Sequence, residues 1–244
     1  MRLTNDTLAV FSPIALTPSV RTHLSTTFPN APISYIVALD YEHHIHLSSW
    51  HEAFPSAHVI GPEGLPEKRA KIADQAKVPF HSVFKRPNPS TTTSASPTAP
   101  LADDAAFNAD FDIEYVHAHA NKELVFFYKP DRTLITADLF FNLPPTEQYS
   151  RMPPKEQAMN SILNRLFGTL MSTSGTAIWH RRFLWYIASS TDRPAFNASI
   201  QRINKWDIQR MIPCHGDVVE SNAKGVFQKV FAWHLQGIKA GKAV

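Results

Sequence analysis

Short apolar runs of strand length alternate with helix-like segments along most of this chain. In the first part, apolar runs at residues 8–11, 33–39 and 58–60 are separated by amphipathic segments at 17–26 and 47–54. Alternation of this kind is typical of layered α/β folds, in which helices cover the faces of a sheet. The pattern continues with strands predicted at 80–84, 111–116, 123–128, 133–138 and 208–213, and helices at 66–77, 154–171, 179–187, 190–206 and 224–239.

Composition indicates a globular protein and argues against some classes of binding partner. The chain has 244 residues, of which 43% are apolar, and a net charge of only +3 with scattered basic residues. The sequence therefore does not predict a nucleic-acid partner. It has no apolar run long enough to span a membrane and no signal-like N-terminus. With the single Cys214, these features predict a soluble cytoplasmic protein.

One segment differs sharply from the rest. Residues 87–106 are rich in Ser, Thr, Pro and Ala, and Leu101 is their only large apolar side chain. Such a segment buries too little apolar surface to offset the entropy of ordering it. We predict a disordered insertion at 87–106.

Histidines cluster directly after the apolar run at residues 33–39. His43, His44 and His46 fall within four residues of one another, among only twelve histidines in the chain. Clustered imidazoles at a strand end can hold zinc, iron or copper. A histidine-rich surface turn would give the same pattern, so the cluster alone leaves both readings open.

Three further polar side chains lie next to predicted strands. His119 precedes an apolar strand, Asp138 ends another, and His215 follows the last one. In layered α/β folds, sites gather where strands meet loops because the sheet holds short loops in fixed relation. Four strand ends that present His or Asp favour a metal site over a surface turn.

The order of these features resembles the metallo-β-lactamase fold superfamily, and in particular an uncharacterised branch of it, DUF4336. The resemblance extends from Arg2 to about Leu235 and leaves out the insertion. It implies one domain over residues 1–244, built as a four-layer αββα sandwich with a metal site at one edge of the paired sheets. The residues that carry the resemblance to the branch are Leu3, Phe11-Ser12-Pro13-Ile14, Glu42-His43-His44, Trp50 and Phe54-Pro55.

The first motif of the superfamily, His-x-His-x-Asp-His, is only partly present. The aligned stretch supplies Tyr41, His43, Ile45 and His46, so the first His and the Asp are missing; a shift of one residue would use His44 instead of His46. An aliphatic side chain such as Ile45 neither ligates a metal nor accepts a proton.

The later motifs match more closely. His119 matches the histidine of the second motif, and Asp138 matches the aspartate that ends a strand and supplies a bridging carboxylate. His215 matches the histidine of the Pro-Gly-His-Gly motif, in which Cys214 replaces a glycine. The resemblance therefore implies one zinc or another divalent transition metal per chain, with Asp138 also catalytic. The implied ligands are His43, His46 (or His44), His119, Asp138 and His215.

Two functions are compatible with this altered site. One is a metal-dependent hydrolase of unknown substrate in which a metal-bound water is the nucleophile. The alternative is a non-catalytic protein of the same fold with a structural or ligand-binding role, which the missing motif Asp favours.

Overall fold

A computed structural model describes residues 1–75, 78–86, 104–150 and 162–237, and its first half forms a parallel sheet. The strands are β1 (Leu8–Phe11), β2 (Ile33–Val37), β3 (His58–Pro62) and β4 (Ser82–Phe84). They lie side by side in chain order and all neighbours are parallel. Each crossover between parallel strands needs a long connection, which the helices of this half provide.

The second half forms a mixed sheet of four strands. These are β5 (Phe111–Val116), β6 (Glu123–Tyr128), β7 (Thr133–Asn142) and β8 (Arg210–Gly216). The first three are antiparallel neighbours, whereas β7 and β8 pair in parallel. β6 is buried at every position, as expected of a strand covered on both faces.

The two sheets pack face to face with helices outside. Val37 and Ile60 contribute to one apolar cluster with Phe126 of β6, between the sheets. Ile36, one residue from Val37, points the other way and packs with Trp50 of the outer helices. Successive strand residues face opposite sides of a sheet, so each strand serves two interfaces. A third cluster joins the second sheet to the later helices, and the predicted αββα arrangement is confirmed.

The helices agree with the sequence pattern in most places. Thr17 caps the first helix through a hydrogen bond from the Val20 amide to its hydroxyl, with Pro18 at the first helical position. The helices are α1 (Pro18–Thr27), α2 (Leu47–Ala53), α3 (Leu65–Ala70), α4 (Ala105–Asp110), α5 (Ile162–Leu170), α6 (Ile178–Phe183) with a π-helical continuation at Leu184–Ala188, α7 (Arg193–Ile203), α8 (Ala223–Val230) and α9 (Ala232–Gln236).

The structure differs from the sequence prediction at α3, at α4 and in the helix predicted at 224–239, which is divided into α8 and α9 at Phe231. α3 ends at Ala70, well before residue 77. The last residues of the predicted insertion are not disordered: Asp104 accepts a hydrogen bond from the Phe107 amide at 2.9 Å and caps α4, and the Phe107 side chain is fully buried. Most of the insertion (87–103) and part of the helix predicted at 154–171 lie outside the described residues. No helix within the described ranges is long and apolar enough to cross a membrane.

Candidate metal centre

Three side chains from distant parts of the chain converge at one edge of the two sheets. The Nε2 atoms of His43 and His215 are 2.9 Å apart, and Oδ1 of Asp138 lies 3.9 Å and 3.3 Å from them, respectively. Ligand atoms at about 2.0–2.1 Å from a tetrahedral zinc lie roughly 3.3 Å from one another. The observed separations bracket that spacing, so the three donors fit a single transition-metal ion.

His43 is held in place by a buried carboxylate. Oδ2 of Asp40 lies 2.8 Å from Nδ1 of His43, and Oδ1 of Asp40 accepts hydrogen bonds from the backbone amides of Glu42 and His43. Burial acts to lower the pKa of His43, but Asp40 outweighs it and raises the pKa. The contact places the Nδ1 proton toward Asp40 and leaves Nε2 directed at the centre, an arrangement typical of metal-binding histidines.

Asp138 is located at an irregular part of β7 rather than at its end. The strand has ten residues, and its pairing with β8 shifts register between Thr136 and Phe141. Asn121 donates from Nδ2 to Oδ2 of Asp138 at 2.6 Å, which leaves Oδ1 facing the two histidines. Burial alone would raise the pKa of Asp138, yet His215 and His43 hold it below its ordinary value. The carboxylate is therefore ionised at neutral pH, as a metal ligand must be.

His215 lies near the end of β8 against an aromatic ring. The ring of Phe141 stacks on it with centroids 5.6 Å apart and planes 7° from parallel. The next residue, Gly216, has φ +108°, and a Cβ there would collide with the backbone of Asn142. The glycine after this histidine is therefore required sterically. Burial raises the pKa of the neighbouring Cys214 thiol, so it is protonated and packs with the core between the sheets.

His119, which the sequence predicted as a ligand, does not join the three donors. Its side chain is buried, and its Nδ1 accepts a hydrogen bond from the Asn121 amide at 3.2 Å. Burial lowers its pKa to about 4, so the ring is neutral near pH 7. With Nδ1 as the acceptor, the proton resides on Nε2, and that nitrogen has no partner among the described residues. Metal ligation by Nε2 would require the other tautomer.

The histidine cluster after β2 is divided between different roles. His44 is buried, with its Nδ1 3.1 Å from Nη1 of Arg69, and it is not among the converging donors. His46 immediately precedes α2, where its carbonyl accepts the Trp50 amide, and its side chain is not among the converging donors. Of the three, His43 alone reaches the centre because Asp40 fixes its ring. Neither His44 nor His46, the alternatives for the second histidine of the first motif, belongs to the converging group.

The two positions at which the first motif is altered are also visible. Ile45 is 67% exposed, and its aliphatic side chain offers no donor atom. The Tyr41 amide donates to the carbonyl of Asn121, and the Tyr41 ring packs under the ammonium groups of Lys68 and Lys122, at 4.5 and 5.6 Å. Tyr41 therefore supports the loop that holds Asn121 and is not one of the converging donors.

A second buried carboxylate, Glu123, was not identified from the sequence as a site residue. Its two oxygens accept hydrogen bonds from the backbone amides of Ala137 and Leu139, at 2.7 and 2.6 Å. These amides are the immediate neighbours of Asp138. Burial, together with the charges of Asp40 and Asp138, raises the pKa of Glu123 well above its ordinary value. The only signal in the sequence is a Glu that opens an otherwise apolar strand.

A cleft of about 420 Å³ opens beside the centre. Asp138 and His215 belong to its lining, and the other described residues that line it carry no charge. Those residues are Phe141, Leu143, Pro145, Gln148, Tyr149, Asn164, Phe167 and Phe183.

Comparison with known proteins identifies the fold. No protein-family model and no curated protein sequence matches this chain. Among solved structures, the BLEG-1 B3 metallo-β-lactamase aligns with a TM-score of 0.52 and 11% identity, covering 93% of this chain and 88% of its own. A metallo-β-lactamase from Hirschia baltica aligns with a TM-score of 0.50 and 9% identity, covering 94% and 81%.

A mutant flavo di-iron protein from Thermotoga maritima aligns with a TM-score of 0.50 and 8% identity; the match covers 88% of this chain but only 46% of that protein. At these identities the likeness concerns the arrangement of the backbone. The two four-stranded sheets, their outer helices and these structural neighbours together show that the chain has the metallo-β-lactamase fold.

Proposed function

We propose that this protein is a metal-dependent hydrolase that uses one divalent transition metal per chain, zinc being the first candidate. The observation that carries the proposal is the convergence of His43, Asp138 and His215 on one point. Three protein ligands with an open fourth position are typical of catalytic zinc sites, whereas structural sites are closed by four. The structural neighbours are named as metallo- and di-iron proteins, which supports a metal here.

The chain's own residues prepare this centre. Asp40 orients the His43 ring through Nδ1 so that Nε2 faces the centre, and Asn121 occupies one oxygen of Asp138 so that the other faces the centre. Phe141 covers one face of His215 and limits the access of water. The metal, when bound, would lower the pKa of a water and polarise a carbonyl or phosphoryl oxygen. With Ile45 in the position of the motif Asp, Asp138 is the carboxylate nearest to the reacting groups.

The proposal includes the finer identification made from the sequence. Glu42-His43-His44 and Trp50 support the DUF4336-like branch, and the one cysteine among 244 residues supports a reducing compartment, the cytoplasm. We expect a small-molecule substrate because the cleft beside the centre is of the size that such ligands occupy, roughly 300–1,000 Å³.

The second candidate function is a non-catalytic protein of this fold with a ligand-binding role. The specific observation in its favour is that only three donors converge, while Ile45 is exposed and His119 holds a tautomer unsuited to ligation. In that case the centre would hold a metal without turning over substrate.

Metal analysis and a substrate panel test the proposal. Protein loaded with zinc, cobalt, manganese or iron and then desalted should retain one equivalent of metal, whereas His215→Ala and Asp138→Ala should retain little. His23→Ala, an exposed histidine on α1, is the matched control and should behave like the wild type. The loaded wild type should hydrolyse at least one class among esters, thioesters, amides and phosphoesters, and His215→Ala should not. Two full equivalents would overturn the mononuclear site, no retained metal would overturn the site itself, and metal without any turnover would favour the non-catalytic alternative.

A further inference from the structure

The cleft beside the candidate centre has a wall of aromatic rings. Phe141 contacts the ring edges of Phe167 and Phe183, with centroids 6.0 and 5.8 Å apart and planes near perpendicular at 89°. Phe141 also stacks on His215, so the aromatic wall is continuous with the centre. A group lying against these rings would therefore have its adjoining atoms next to His215 and Asp138.

The charged residues around the cleft favour neutral over anionic substrates. Within the described part of the chain, no lysine or arginine lines it, and Asp138 is its one acidic residue. Three cations near the loop that follows β2 are engaged by other groups: Lys68 and Lys122 pack on the Tyr41 ring, and Arg69 is buried against His44. Apart from a metal at the centre, a phosphate or carboxylate group of a substrate would find no lysine or arginine among the described residues of the cleft. A neutral apolar group would replace water against the phenyl rings, which is favourable.

Neutral polar groups occur on the same surface. Gln148 donates from Nε2 to the carbonyl of Cys214 at 2.7 Å, and its Oε1 accepts the Gly216 amide at 3.2 Å, so its amide bridges both sides of His215. Gln148 therefore holds the cleft wall and His215 together. The cleft thus combines a fixed polar end at the centre with an apolar body, the usual composition of a small-molecule site.

We propose that this cleft binds the apolar acyl chain of a neutral carboxylic ester, which the centre hydrolyses. The inference rests on the proposed hydrolase function and names its substrate class. In the reaction, the bond between the acyl carbon and the alcohol oxygen breaks and a water oxygen bonds to the acyl carbon. The leaving alcohol takes one proton and a second is released, leaving a carboxylate. No oxidant or reductant is required.

Turnover of a homologous ester series tests the substrate class. The metal-loaded protein is assayed with p-nitrophenyl acetate, butyrate, hexanoate and octanoate, and with bis(p-nitrophenyl) phosphate as the anionic counterpart. Burial of each methylene favours binding by about fourfold, so kcat/KM should rise by roughly that factor per methylene until the cleft is filled. The phosphodiester should react at least about a hundredfold more slowly than the hexanoate, because its charged group would lose water of hydration against the phenyl rings of the cleft.

Two variants on α5 test whether the dependence on chain length arises in the cleft. Phe167→Ala removes a ring from the cleft and should reduce the dependence on chain length. Ile162→Ala removes an apolar side chain that is 83% exposed on α5 and does not line the cleft, and it should match the wild type. Equal rates across the esters, an equal loss in both variants, or faster turnover of the phosphodiester would overturn the inference while leaving a metal-dependent hydrolase intact.

A binding assay without metal separates this inference from the proposed function. The neutral fluorophore N-phenyl-1-naphthylamine is bound to the metal-free protein and displaced with methyl acetate, butyrate, hexanoate and octanoate. Displacement should strengthen with chain length and should weaken in Phe167→Ala but not in Ile162→Ala. Chain-length dependence here with no hydrolysis of any class in the substrate panel would refute the proposed function and keep the cleft as an acyl-binding site. Displacement independent of chain length would refute the cleft assignment itself.

Discussion

Replacement of Glu123 by Gln should both destabilise the protein and weaken metal binding. The side chain is fully buried, and its two oxygens accept the amides of Ala137 and Leu139, on either side of Asp138. Gln has nearly the same shape but only one acceptor oxygen, so its NH₂ group would face one of the two amides, donor against donor. Glu123 therefore determines where the irregular part of β7 places Asp138.

The expected magnitude follows from the lost hydrogen bond. A buried donor without a partner costs about 1–3 kcal/mol, so the free energy of unfolding of Glu123→Gln should be lower by that amount in mild acid. Burial, with Asp40 and Asp138, raises the folded-state pKa of Glu123. A raised acid pKa contributes stability below the unfolded-state value that is lost as pH rises through the folded-state value. Gln does not titrate, so the difference between the two proteins should shrink from pH 5 to pH 9.

Urea unfolding of the metal-free proteins across this pH range measures the free energy of unfolding, and titration with cobalt or zinc measures the metal affinity. Displacing a ligand's support typically reduces affinity by about 10–100-fold. Asp110→Asn is the matched control because that buried carboxylate accepts the amide and hydroxyl of Thr4, far from the centre. It should lose comparable stability and no metal affinity. Wild-type stability and affinity in Glu123→Gln, or equal loss of affinity in both variants, would refute the reasoning.

Three further changes test other parts of the structure. Asp40→Ala should weaken metal binding by about 10–100-fold, since the ring of His43 loses the carboxylate that orients it; a metal titration equal to that of wild type would contradict this. His180 is buried between Phe140 and Phe141 without a partner for either ring nitrogen among the described residues, and burial lowers its pKa to about 3. Below about pH 6.5 the unfolded chain binds a proton at His180 that the folded chain does not, so stability falls by roughly 1.4 kcal/mol per pH unit. His180→Phe should flatten that slope, as measured by urea unfolding at pH 7, 6 and 5. Arg202→Met should lower the free energy of unfolding by about 3 kcal/mol because it leaves the buried carboxylate of Glu114 without its two-bond partner, and thermal unfolding identical to wild type would exclude this.

Several features of the fold are determined by local sequence. The apolar runs that predict β2, β5 and β6 give strands there because alternation or continuous apolarity is a local property of the chain. The prediction failed at α4, whose single apolar anchor, Phe107, follows a stretch of polar and small residues. The burial of Phe107 between the sheets is a tertiary contact, and a sequence window does not contain it.

The residues of the candidate site were likewise predicted only in part from the sequence. The sequence indicated His43, Asp138 and His215, because each follows or ends an apolar strand, and the structure brings these three together. It did not indicate that His44 turns to Arg69 or that His119 accepts an amide hydrogen bond at Nδ1.

The tertiary structure, and not the sequence pattern, determines the direction in which each side chain points. A one-residue change along the loop after β2 separates His43 from His44, and only the buried Asp40 decides which ring reaches the centre. Likewise, Asp138 faces the centre because Glu123, on the neighbouring strand, fixes the amides around it. Sequence periodicity determines which segments form strands and which residues lie at their ends. The convergence of donor atoms within a few ångströms depends on register shifts and buried hydrogen bonds between segments far apart in the chain.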